Sequence, residues 1–142
     1  MGTRLKAPEG SRGVLVIDDN AQNAELLCAY LADLGCVVRS APDGERGLAE
    51  IETRPPDLVL LDIMMPRMSG YDVCQRLKSD PETQNIQVVM VTALNDLGDL
   101  ERAADCGADD FLTKPVNRIE LLLRATSLLR LAMLERQAAG AP

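Results

Sequence analysis

The sequence predicts an α/β fold: a doubly wound, five-stranded parallel sheet built as (βα)5. Two observations carry this. Five short runs of aliphatic and β-branched residues recur along the chain, and each is followed by a segment with helical spacing of apolar residues. The runs are continuously apolar rather than alternating, as in strands covered by helices on both faces. Strands alternating with helices imply a parallel sheet with right-handed crossovers.

Residues 1–12, with Gly2, Pro8 and Gly10 and no apolar pattern, read as a flexible leader. The folded domain is expected over 13–131, and 132–142 as an extension of the last helix and a flexible tail. Val14–Ile17 is the first strand. A helix from Ala21 to Leu34 follows, stopped by Gly35. Cys36–Ser40 is the second strand. Asp43–Thr53 is a short helix stopped by Pro55 and Pro56. Leu58–Leu61 is the third strand, and Ser69 is placed to N-cap a helix reaching Lys78. Val88–Val91 is the fourth strand, followed by a helix from Leu97 to Cys106 that ends at Gly107. Phe111–Leu112 is a short fifth strand, and a long helix runs from Asn117 past Arg136.

Composition narrows the function. A chain of 142 residues, 46% hydrophobic and 26% charged, fits one domain with a sizeable core. With one Phe, two Tyr and no Trp, that core is aliphatic. No run is apolar for long enough to span a bilayer, and the N-terminus lacks the apolar stretch of a signal peptide, so a cytoplasmic location and no membrane contact are expected. Cys28, Cys36, Cys74 and Cys106 lack metal-ligand spacing and there is no His to complete a zinc site. Reduced, buried cysteines are expected. A net charge of −7 argues against direct binding of nucleic acid. Without His, the chain cannot be a phosphohistidine donor.

A doubly wound sheet places its working site at the carboxyl ends of the strands. Strand one delivers Asp18 and Asp19 there, strand three Asp62, strand four Thr92, and strand five Lys114 followed by Pro115. Each alone has an ordinary explanation. Asp19 or Asn20 could cap a helix, Asp62 could be a turn residue, Thr92 a β-former and Lys114 a surface lysine. Their joint arrival at one rim is what stands out. Three crowded carboxylates repel one another, and a hard divalent cation with oxygen ligands resolves that; Mg²⁺ is usual where phosphate also binds.

The segments VLVIDDN (14–20), DLVLLDIMMPRMSG (57–70), VVMVTA (88–93) and GADDFLTKP (107–115) resemble the receiver domain of two-component response regulators, across about residues 13–131. The resemblance implies a flavodoxin-like receiver fold. It implies that Asp62 accepts a phosphoryl group from a phosphohistidine, on a sensor histidine kinase or a histidine phosphotransfer protein. It implies Mg²⁺ on Asp18, Asp19, Asp62 and the backbone carbonyl of Met64. Thr92, Ala93 and Lys114 then form the phosphoryl-binding set, with a cis bond before Pro115. Pro66 and Gly70 shape the loop after Asp62. Thr92 and Phe111 are implied as a switch pair: Thr92 moves to the phosphoryl and Phe111 turns inward behind it. The apolar Met64 and Leu94, which cannot orient a hydrolytic water, imply a long-lived acyl phosphate. Such a protein catalyses only its own phosphorylation and dephosphorylation. The wording around DIMMPRMSGYDVC is also similar to receivers linked to diguanylate cyclases and to stand-alone ones.

A haloacid-dehalogenase phosphatase needs a second Asp two residues after the nucleophile, where this chain has Met64. A flavin module needs a Ser/Thr/Gly-rich loop after strand one, where this chain has DDNAQN. A degenerate receiver acting as an interaction scaffold is the remaining alternative, although all five site residues are present. The last helix carries more apolar residues than one core-facing stripe needs. Ile119, Leu122, Thr126, Leu129 and Met133 fall at heptad spacing, so a homodimer or partner contact through that helix is expected.

Overall fold

The computed structural model describes residues 5–93 and 97–140. Strands β1 (Val14–Ile17), β2 (Val38–Ala41), β3 (Leu58–Asp62), β4 (Gln87–Thr92) and β5 (Asp110–Thr113) form one sheet in the order β2-β1-β3-β4-β5. Every strand pair is parallel. The helices are α1 (Ala21–Leu31), α2 (Gly44–Thr53), α3 (Gly70–Ser79), α4 (Leu97–Asp105) and α5 (Arg118–Ala138). The architecture is therefore the doubly wound (βα)5 sheet, in the strand order of flavodoxin-like folds.

Alternate residues of each strand feed two separate cores. Val14 and Val16, Leu58 and Leu60, Val89 and Val91, and Leu112 pack with Leu27 and Leu31 of α1 and Leu121, Leu122 and Leu129 of α5. Leu15 and Ile17, Val59 and Leu61, and Val88 and Met90 pack with Ile51 of α2 and Tyr71, Val73 and Leu77 of α3. Burial on both faces is why the strands read as unbroken apolar runs.

Polar side chains start the helices where the chain leaves the sheet. Asn20, Asp43 and Asn117 each accept a hydrogen bond from the backbone N–H three residues on. Ser69 does the same within a capping box closed by Asp72. The first helix ends earlier than its apolar pattern indicates, because Ala32–Leu34 tightens into a 3₁₀ turn before Gly35 at φ +77°. The second strand begins at Val38, not Cys36, and the fifth extends one residue either side of Phe111–Leu112.

The segment expected to be a free leader is, from Leu5 on, laid against the domain. Leu5 and Ala7 pack on the α1/α5 core, and the Ala7 N–H donates to the Leu34 carbonyl at 3.0 Å. The Arg12 N–H donates to Asp57 Oδ2 at 2.7 Å. The long helix α5 also stays on the domain to its end. Ala132 is buried, Arg136 is ion-paired with the buried Asp57, and its guanidinium also donates to the Gly10 carbonyl at 3.3 Å.

Candidate functional site

The parallel register brings the strand ends to one level. Ile17 pairs with Leu61 and Asp62 with Val91, so Asp18, Asp62 and Thr92 leave the sheet side by side. The β4–β5 register continues the row, with Thr92 opposite Thr113 and Lys114 next in the chain. The Lys114 N–H donates to the Thr92 carbonyl at 2.7 Å. The Lys114–Pro115 peptide bond is cis.

The three carboxylates converge. Asp18, Asp19 and Asp62 each offer an oxygen within 4.8 Å of the others; Asp18 and Asp62 are buried and Asp19 is exposed. Of the two capping candidates, Asp19 and Asn20, it is Asn20 that holds the cap of α1. Asp18 Oδ1 accepts from the Asn20 N–H at 2.8 Å. Asp18 Oδ2 is buried with no hydrogen-bond partner, and Lys114 Nζ stands 3.9 Å away. A buried, orphaned carboxylate oxygen is costly, and beside two more carboxylates it fits a hard divalent cation. Met64, whose carbonyl is the expected fourth ligand, follows closely, its N–H donating to Asp62 Oδ1 at 3.3 Å.

Asp62 feels opposing forces. Its carboxyl is pushed up to about 6, first by burial. Lys114, at 3.5 Å from Oδ1, pulls it down, while the negative charge of Asp18 raises it further. The loop behind it is held tight. The Gly70 N–H donates to the Ile63 carbonyl at 3.0 Å, and a Cβ on Gly70 would lie 2.4 Å from the Asp62 carbonyl oxygen, so no larger residue fits without moving the loop. Met64 is largely exposed at the rim, and Ala93 is exposed beyond the buried Thr92. Leu94 lies outside the described residues.

Phe111 is 38% exposed and pairs with Met90 on the α3 side of the sheet. Thr92, two residues beyond Met90, is its diagonal neighbour on that face. Nothing in the residue pattern marks Arg67, a non-glycine residue at φ +68° in the loop after Asp62, whose guanidinium lies 4.0 Å from Asp43. Glycine is the usual mark of such a backbone, and here the mark is missing.

The family model for the response regulator receiver domain matches residues 14–126. Response regulator PleD of Caulobacter vibrioides is 42% identical over 135 residues, which is 92% of this chain and 30% of PleD. The DNA-binding dual master transcriptional regulator RpaA of Synechocystis sp. is 43% identical over 117 residues, 82% of this chain and 48% of RpaA. The chain thus spans half or less of the length of these relatives. Among solved structures, a response regulator from Chloroflexus aurantiacus superposes with a TM-score of 0.79 at 33% identity, over 83% of this chain and 97% of the other. With its strand order, its acidic rim and these matches in agreement, the chain belongs to the response regulator receiver domain family.

Proposed function

We propose that the domain accepts a phosphoryl group on Asp62 from the phosphohistidine of a sensor histidine kinase or a histidine phosphotransfer protein, with Mg²⁺ present. The observation that carries this reading is the convergence of Asp18, Asp19 and Asp62 beside Lys114, with one buried carboxylate oxygen left without a hydrogen-bond partner. A carboxylate oxygen of Asp62 attacks phosphorus, the P–N bond breaks, and the imidazole leaves with the electron pair. Asp62 Oδ1 already carries the Met64 N–H and Lys114 contacts, so Oδ2 is assigned the attack. Asp18, Asp19, Asp62 and the Met64 carbonyl would hold the cation. When bound, it neutralises charge developing on the phosphoryl oxygens. Lys114 and the Thr92 hydroxyl take phosphoryl oxygens, and exposed Ala93 leaves room for the donor. Movement of Thr92 toward the phosphoryl opens space for its diagonal neighbour Phe111 to turn inward, which alters the β4–β5 surface read by a partner or an output domain.

The domain acts on no separate substrate; it catalyses gain and loss of its own phosphoryl group. Its place of work is the cytoplasm, where kinase donors present phosphohistidine. No helix among the described residues is long and apolar enough to cross a membrane. Incubated with acetyl phosphate and Mg²⁺, the protein should gain one phosphoryl group by intact mass, and Asp62→Asn should gain none. Asp19→Ala should weaken Mg²⁺ binding measured by titration. Phosphorylation of Asp62→Asn at the wild-type rate would overturn the assignment.

A further inference from the structure

Three contacts join α3 to the end of α4 and the turn after it. Arg102 lies over the Tyr71 ring at 4.3 Å from its centroid. The Cys74 thiol donates to the Cys106 carbonyl at 3.4 Å. Lys78 Nζ pairs with Asp109 Oδ2 at 2.8 Å and also donates to the Ile86 carbonyl at 2.7 Å. On α3 these residues are three and four apart, so they form one stripe along one face. The stripe's middle member is a thiol, and its counterpart residue also carries one. Cys106 packs against the same core cluster that contains Cys74.

We propose that Cys74 and Cys106 are a redox pair, closed by a peroxide into a reversible disulfide that ties the end of α4 to α3. The two residues are 32 apart in sequence, and the contacts on either side already hold their elements together. Disulfides require close sulfur-bearing carbons and a defined torsion, so a small adjustment must be available. Cys106 sits in the turn that ends at Gly107, at φ +91°, rather than inside a regular element.

The roles of the two thiols follow from exposure. Cys74 is fully buried, and burial, then the Cys106 thiol beside it, hold its proton well above the ordinary thiol range. Cys106 is half-buried and meets the oxidant first. Its thiolate attacks a peroxide oxygen, the O–O bond breaks, and water leaves after protonation, giving a sulfenic acid. The Cys74 sulfur then attacks the Cys106 sulfur, the S–O bond breaks, and the Cys74 proton leaves with the hydroxyl as a second water. Two thiols and one hydrogen peroxide give one disulfide and two waters. Cys28 and Cys36 pack on the opposite core and serve as internal controls.

The full chain is treated with hydrogen peroxide, alkylated under denaturing conditions and mapped without reduction. A Cys74–Cys106 linked peptide that dithiothreitol reverses is expected, with Cys28 and Cys36 alkylated. Amide exchange in α4 should slow roughly tenfold in the oxidised protein, since the tether suppresses local opening. Cys106→Ser, at a half-buried position, should leave Cys74 reduced and abolish the link. In Cys74→Ser, a dimedone adduct should accumulate on Cys106. If wild-type protein yields both cysteines alkylated, or Cys106 as sulfinic acid with no linked peptide, the pair is not a redox pair. Unchanged exchange in linked protein would overturn the tether.

Discussion

Asp62 is buried beside the Lys114 ammonium and the Asp18 and Asp19 carboxylates, and its carboxyl is pushed up to about 6 against about 3.9 for an unfolded Asp. The raised value means that the fold favours the protonated form. Below about pH 4 both states are protonated and Asp62 costs nothing. As pH rises from about 4 to about 6, the unfolded chain ionises first, and stability falls. Above that window the full penalty stands, on the order of 3 kcal/mol for the metal-free protein. Asp62→Asn removes the titrating group. The variant should therefore exceed wild type in stability by that order at pH 7, with the gap closing near pH 4. Mg²⁺ should narrow the gap at pH 7 by stabilising wild type. Urea unfolding of both proteins at several pH values measures this; parallel pH profiles without Mg²⁺ would contradict it. The residues of this site were legible in the sequence because each ends or follows a strand, and a parallel sheet delivers all strand ends to one rim. Arg67 was illegible for the opposite reason, since its positive φ is set by the loop and not by its own side chain.

At the scale of elements, β1, β3 and β4 were legible because burial on both faces confines polar residues to the strand ends. β2 was less so. Its Val38–Ala41 run is mostly half-exposed at the sheet edge, and the preceding Cys36 and Val37 extend the apolar pattern beyond it. The long helix misled more. Of its expected seam, Ile119, Leu122, Thr126, Leu129 and Met133, the middle three are buried within the domain and face the core, while Ile119 is exposed. Composition cannot tell inward from outward when both faces of a helix are apolar. Nor could spacing reveal what holds the helix end: Arg136 reaches Asp57 across 79 residues of sequence. That pair is strongly shielded, with side-chain exposures of 16% and 4%. Arg136→Ala should leave the buried Asp57 carboxylate without its guanidinium partner, at a cost of about 3 kcal/mol in urea unfolding. Asp57→Asn combined with Arg136→Ala should recover part of that loss, because the uncompensated charge is then gone. A single-variant loss under about 0.5 kcal/mol, the range of ordinary surface pairs, would show that the pair does not hold the helix end.

For the whole molecule, what matters is the face of α5 turned away from the core. Ile119, Leu123, Leu131 and Leu134 lie there, between 42% and 61% exposed. They fall eight and four residues before Ser127 and four and seven after it. The stripe is thus nearly symmetric about a small residue, over roughly 22 Å at ~1.5 Å per residue. An antiparallel pairing about a two-fold axis at Ser127 sets Ile119 and Leu123 of one copy against Leu134 and Leu131 of the other. A symmetric interface demands this self-complementarity, and an unrelated partner does not. Burying the exposed half of eight such side chains is worth about 6–12 kcal/mol, at 1.5–3 kcal/mol for each full burial. Association costs a similar 4–15 kcal/mol, so a weak dimer is expected, with a dissociation constant in the micromolar range or above. Sedimentation equilibrium of the full chain should show concentration-dependent dimers. Leu123→Glu and Leu134→Glu should each abolish them, since either change places a carboxylate in an apolar contact made twice. Because both side chains are exposed in the monomer, the variants should keep wild-type urea midpoints at low concentration. Beryllofluoride with Mg²⁺, a mimic of the acyl phosphate, should strengthen the dimer if Phe111 and α5 respond together. Monomers at high micromolar concentration, both with and without beryllofluoride, would remove the self-pairing and assign the stripe to a different protein or to a domain that follows in a longer chain.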